Sequence, residues 1–344
     1  MKQILTTALL LLVLGGVSYG QEEPITKYTE IDLKVKDNYI RSNDPYDIAE
    51  EVTAEFDDDE SKVRAIFVWI AHNIEYSFDT YDDQKANRSK RKKQVKSKDP
   101  DEKAELIQEL KDDDLRRCLK RRGGVVADFS YLFTTMCEAI EIEAGEIKGY
   151  KRKSYRRIGQ APRRPIHSWN WAKINGKKYL FDTMMGAGTI GKNPETRVVE
   201  FTRKLNDIYF MAPPHVLIMS HYPVKEEYQM LDKKMTLEEY ASQPFMLDGF
   251  RESKILEVEP KVGILSPKDK VIEFKFKFAD GEIPHRILLY DRRKLYDKNE
   301  YERQGDYIVM KYTVPENPPS TLKIVVKSSK LYEYEALIYR FGDE

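Results

Sequence analysis

His167 and Asp182 lie on either side of an Asn175-Gly176 pair. An imidazole oriented by a carboxylate is the base of a nucleophile–base–orienter set, the arrangement that carries acyl transfer. Asn-Gly between two alternating runs is the strongest short-range hairpin signal. Pairing Ile174 with Lys177 sets Trp169 opposite Asp182 and His167 opposite Met184. Side chains alternate along a strand, so His167, Trp169 and Trp171 share a face with Asp182. His167 and Asp182 become diagonal neighbours, about 7–8 Å apart at the backbone and closer at their tips.

Such a pair needs a nucleophile, and a helix start is one element that can activate it. Phe129, Leu132, Phe133, Met136, Cys137 and Ile140 recur every third or fourth residue in the amphipathic pattern of a buried helix. Gly123 and Gly124 precede it, so the helix is expected to start near Val125 or Val126. A helix start has free N–H donors and a partial positive charge. Those features lower a thiol pKa and stabilise an oxyanion. Val126 occupies this start, and a valine side chain has no lone pair. Taken alone, the helix reads as core, and a strand histidine beside an aspartate reads as structural.

The order of these motifs resembles the transglutaminase-like superfamily, and within it the kyphoscoliosis-peptidase-like branch. Gly124, Val125, Phe129, Leu132, Phe133 and Cys137 match the family's nucleophile helix, and Gly149-Tyr150 match a Gly-Tyr that follows it. His167, Trp169, Asn170, Ile174, Gly176, Tyr179, Leu180, Asp182 and Gly186-Ala187-Gly188 match its His–Asp hairpin. Stretches 64–76, 208–223 and 235–240 are also similar. The family uses a Cys–His–Asp triad. The resemblance therefore implies that His167 and Asp182 are a remnant triad, with Val126 in the cysteine's place. Asp128 stands where the family has a small glycine, and Met185 where it has a tryptophan. The implied fold class is α+β, a transglutaminase-like (papain-like cysteine protease-type) domain.

The 344 residues suggest two domains. Residues 1–20 read as a signal peptide: Lys2, an apolar run from Ile4 to Val17, then Ser18-Tyr19-Gly20 before Gln21. The run is short for a bilayer span, so stable membrane insertion is not expected, and an exported protein, periplasmic or secreted, is. Residues 21–248 are assigned to the transglutaminase-like domain, with 21–43 as an extended polar lead-in and helices opening at Asp44-Pro45 and at Asp57 to Glu60. Residues 82–114 read as a charged insertion, a solvated loop with a short polar helix. From 249 to 344, short alternating runs separated by turns such as Asp280-Gly281 and Gly305-Asp306 indicate a small all-β, immunoglobulin-like sandwich.

Lys+Arg and Asp+Glu each number 58, so net charge gives no reason to expect nucleic acid. Local charge is less even. Lys85 to Lys98 holds eight Lys or Arg, and a second basic run spans Lys148 to Arg164. Together with Arg116 to Arg122 these runs could ring one cleft and favour an anionic glycan or an acidic protein segment. Arg122, Asp128, Arg156, Arg157 and Trp169 are the candidate binding residues. Cys137 is expected as a small buried hydrophobe, Cys118 as an exposed thiol in basic surroundings, and no disulfide between them. Five scattered histidines offer no metal-ligand spacing and no glycine loop cradles phosphate, so neither metal nor cofactor is expected. The leading expectation is a non-catalytic binding or scaffold module. The alternatives are an active cysteine peptidase or transglutaminase with Cys118 as relocated nucleophile, and a purely structural envelope or surface protein.

Overall fold

The computed structural model describes residues 27–342, apart from 97, 194, 251, 280–283, 285, 292–293, 297–300 and 329–331. The signal-type segment 1–20 and the Asp280-Gly281 turn lie outside the described residues.

Chain 27–217 builds one hydrophobic cluster around three helices: α1 (Thr29–Asp37), α2 (Pro45–Thr53) and α3 (Asp59–Asn73). The stretch expected as an extended lead-in is thus partly helical. The reason is tertiary: Arg64 of α3 is fully buried, and its guanidinium draws Asp32 of α1 inward through two hydrogen bonds of 2.8 and 2.6 Å. Asp207 closes its other side at 2.7 Å. Asp44 and Asp58 cap α2 and α3, their carboxylates accepting from Tyr46 N–H and Ser61 N–H.

The charged insertion forms two long helices, α4 (Phe78–Lys96) and α5 (Pro100–Arg121), where a loop with one short polar helix was expected. Lys, Arg, Glu and Ala are strong helix formers. Asp99 caps α5 by accepting from Asp101 and Glu102 N–H, ahead of Pro100. Charge holds the pair together: Arg91 grips Asp114 with bonds of 2.6 and 2.9 Å, and Asp83 meets Arg121 at 3.8 Å. The basic run of α4 is therefore partly neutralised by the acidic run of α5.

Helix α6 (Val126–Ala139) runs through the core, with Phe129, Leu132, Phe133, Met136 and Cys137 fully buried. It packs on a four-stranded antiparallel sheet of β1 (Ala144–Lys151), β2 (His167–Ile174), β3 (Lys177–Phe181) and β4 (His221–Pro223), in the order β3-β2-β1-β4. The β2–β3 hairpin has the expected register, Ile174 opposite Lys177. Asn175 and Gly176 both take positive φ, 50° and 80°, as the turn requires.

The C-terminal region has its own hydrophobic cluster. One sheet joins Ile255–Glu259, Val271–Phe278, Tyr307–Thr313 and Tyr301–Gln304; the other joins Ile264–Leu265, Glu333–Phe341, Thr321–Lys327, Arg286–Asp291 and Lys294–Tyr296. Phe274 of the first meets Tyr339 of the second edge-to-face at 5.2 Å, inside the sandwich. Among the described residues, no helix is long and apolar enough to cross a membrane.

Candidate functional site

Three elements bring the site together. His167 opens β2. Asp182 follows the last paired residue of β3, where the chain leaves the ladder: its N–H donates to Tyr209 O, and its Oδ1 accepts Met185 N–H at 2.9 Å, capping α7 (Thr183–Ala187). His221 opens β4, in register with Lys151 of β1. His167 Nε2 lies 2.5 Å and His221 Nε2 2.9 Å from the same oxygen, Asp182 Oδ2. His221 was not among the residues singled out from the sequence. Its partner in the ladder lies 70 residues away, and no turn signal announces that pairing. Ser220 Oγ is 2.7 Å from His221 Nδ1.

Proton positions follow from the acceptor. An ionised carboxylate only accepts, so both imidazoles carry hydrogen on Nε2. His221 Nδ1 then accepts from the Ser220 hydroxyl, and both nitrogens of this fully buried ring are used. Burial pushes His221 down to about 4, against the pull of Asp182, so the ring is neutral at pH 7. Burial alone would raise Asp182, but the His167 charge and the hydrogen bonds from His167 and His221 outweigh it, holding the acid well below the usual carboxylate range. His167 Nδ1 makes no hydrogen bond among the described residues. These three residues place potential ligand atoms within 4.8 Å of one another, a grouping that the scattered histidines of the sequence did not suggest.

A glycine makes this meeting possible. Gly149 of β1 stands opposite both His167 and Pro223, between the two histidine strands. A Cβ there would lie 2.2 Å from Tyr222 O and 2.3 Å from the Trp169 ring. Without it, Trp169 lies across β1, stacks on His167 at 6.1 Å and meets His221 edge-on at 5.3 Å. Trp169 is 1% exposed. Expected as a binding residue, it is the buried wall behind both imidazoles.

Helix α6 lies along β2. Ser130 Oγ donates to Trp169 O at 3.1 Å, and Asn170 Nδ2 donates to Ser130 O at 2.8 Å and Thr134 Oγ1 at 3.0 Å. Residues 126, 130 and 134 share one helix face. One turn back from Ser130 is about 6 Å of rise, and Trp169 to His167 is about 6.6 Å of strand. Val126, the first helical residue, therefore stands at the His167 end of this stripe. It is half-buried against the core and carries no nucleophilic atom.

The other sequence candidates do not join the histidine cluster. Asp128 turns into its own helix start, accepting Val125 N–H at 2.8 Å while Gln84 of α4 approaches both carboxylate oxygens at 3.4 Å. Burial pushes it up to about 6. Arg122 ends α5 in the left-handed conformation and donates to Ser42 O, tying the chain together away from the histidines. Arg156 and Arg157 are exposed on the loop after β1. Cys118, expected on the surface, is 1% exposed on the inner face of α5. Burial and then the Asp128 carboxylate push its thiol far up, the opposite of an activated thiolate. Cys137 is buried, and both cysteines are free.

A mixed α/β core thus brings a His–Asp hairpin against a central helix. Residues 46–182 match the Transglutaminase-like superfamily, and the chain carries a domain of that superfamily. Within it, the chain is similar to the kyphoscoliosis peptidases. It is 24% identical to that of Mus musculus over 220 residues, 64% of this chain and 29% of the relative. It is 24% identical to that of Homo sapiens over 208 residues, 60% of this chain and 27% of the relative. The chain thus spans less than a third of the curated relatives it matches. A solved structure described as a TGase aligns with 53% of this chain and 38% of its own, at 15% identity and a TM-score of 0.26.

Proposed function

We propose that this chain is an exported, non-catalytic member of its superfamily, a module that binds through the former cleft. The observation that carries this is Val126 at the start of α6, on the stripe that runs to His167. Covalent acyl transfer needs an attacking atom, and none stands there. Two further features support the reading. Val125 N–H, a donor that an oxyanion would need, is already taken by Asp128. Cys118 cannot substitute, because its thiol is buried and disfavoured as a thiolate.

The test uses the purified chain with fluorogenic peptides and amine-donor substrates. The expected result is no turnover above buffer for the wild-type protein. Turnover that disappears in His167→Ala would overturn the proposal. Export is checked separately, by sequencing the N-terminus of protein collected outside the cytoplasm. A mature start at Gln21 is expected; protein found only inside with Met1 intact would remove that part.

A further inference from the structure

The rim of the site carries a concentration of positive charge, of which only the innermost member, Lys151, interacts with carboxylates, those of Asp182 and Asp248. No Asp or Glu occurs from Ile147 to Phe181. The structure gathers six cations of this stretch, Lys151, Arg152, Lys153, Arg157, Arg163 and Arg164, around one pocket of about 360 Å³. Arg152 is spent on the wall, its guanidinium donating to Gln243 O and Pro244 O at 2.8 and 2.9 Å. The side chains of the other five make no hydrogen bond and no ion pair among the described residues. Several other cations of this electroneutral chain are matched: Arg64 with Asp32 and Asp207, Arg91 with Asp114, Lys173 with Glu143. Lys151 is the inner end of the set. It is the cross-strand partner of His221, and Ile166, which precedes His167, lines the pocket too, so the pocket lies beside the strands that carry the histidines.

We infer that this pocket binds a polyanionic saccharide, one that presents sulfate or uronate groups to the arginines. The backbone decides against an extended peptide. Peptides in extended form gain affinity by adding to a free strand edge. Here β1 is paired on both sides, by β2 and β4, and the adjoining Arg152 and Gly159 N–H groups already donate to Ser220 O and Ala241 O. What is left to recognise the ligand is side chains, chiefly the cations, with Ser154 and Gln160 beside them. Three of the five free cations are arginines, whose planar forks bind oxyanions in bidentate fashion. The inference rests on the binding-module reading above and names the chemistry that such a module would take.

The experiment titrates sucrose octasulfate and trigalacturonate into the whole chain by calorimetry. Arms with inorganic sulfate and poly-L-glutamate run beside them. Arg157→Gln/Arg163→Gln/Arg164→Gln removes three exposed pocket cations. Lys90→Gln/Lys92→Gln/Lys93→Gln removes three exposed cations of α4, for the same change in net charge. The pocket variant is expected to weaken saccharide binding by on the order of tenfold, and the α4 variant by less than about twofold. Equal losses in both variants, or no saccharide binding at all, overturn the inference. Tighter binding of poly-L-glutamate also overturns it, in favour of an acidic protein segment. Turnover is read independently. Saccharide binding by a chain that cleaves peptides removes the non-catalytic reading alone, and an inactive chain that ignores the saccharides removes this inference alone.

Discussion

Placing a thiol at position 126 tests whether the site lacks only a nucleophilic atom or is built for something else. Val126→Cys places sulfur at the first position of α6, where the helix start favours a thiolate. Asp128 is two residues on, and side-chain heads two apart on a helix stand roughly 7 Å from each other. At an effective dielectric of about 20, two unit negative charges at that distance repel by about 2 kcal/mol, about thirtyfold in thiolate population. Asp128 ionises only near pH 6, so the repulsion is present at neutral pH, where a thiolate has to form. Val126→Cys alone should therefore show an ordinary thiol, and Val126→Cys/Asp128→Asn a thiol titrating about one to two pH units lower. The assay is the rate of iodoacetamide alkylation between pH 5 and 10. The background is low because Cys118 and Cys137 are both buried. Superimposable profiles for the two variants would refute the electrostatic coupling. A low-pKa thiol in the single variant would show that Asp128 poses no obstacle.

The same groups set the response to pH. Asp128 is raised in the fold from 3.8 to about 6, so the folded chain holds its proton more tightly than the unfolded chain. Its contribution is full below pH 4 and declines by about 3 kcal/mol as pH rises through 6. Urea unfolding should show Asp128→Asn more stable than wild type at pH 8 and equal to it near pH 4. His221 is lowered from 6.5 to about 4, so its contribution is full above pH 6.5 and is lost as pH falls through 4, again by about 3 kcal/mol. His221→Gln should flatten the acid side of a thermal-unfolding profile, and an unchanged slope would contradict the burial argument. Gly149→Ala should destabilise by about 3 kcal/mol or prevent folding, because the Tyr222 carbonyl cannot move aside. Gly191→Ala meets nothing within 4 Å and should be close to neutral.

Local signals carried much of this site. Asn175-Gly176 set the β2–β3 register, and the register set His167 near Asp182. The three-to-four spacing from Phe129 to Cys137 located α6 and its start. What stayed hidden depended on long-range packing. His221 joins the cluster only because β4 pairs with β1 across a glycine. Cys118 lies in a basic sequence yet faces inward, since the charges around it occupy the outer face of α5. The α4–α5 hairpin was hidden for a related reason. Neither helix shows a long apolar stripe, and the pairing of Arg91 with Asp114 holds together what hydrophobic periodicity could not announce.

The His–Asp pair is weak evidence of activity in this chain, because the fold needs it regardless. Asp182 is fully buried and accepts three N–H groups, from His167, His221 and Met185. Each donor left unpaired in the interior costs about 1–3 kcal/mol. Asp182→Ala would strand all three, a loss that rivals the whole stability of many domains. His221 in turn fixes Ser220, and Trp169 packs against both rings. Packing alone therefore gives reason to keep His167 and Asp182 side by side whether or not any acyl group is transferred. Residue 126 is different. Nothing hydrogen-bonds to its side chain, and it is only half-buried, so a cysteine would fit there at little structural cost. The identity of residue 126, and not the survival of the histidine and aspartate, distinguishes an enzyme from a binding module on this framework.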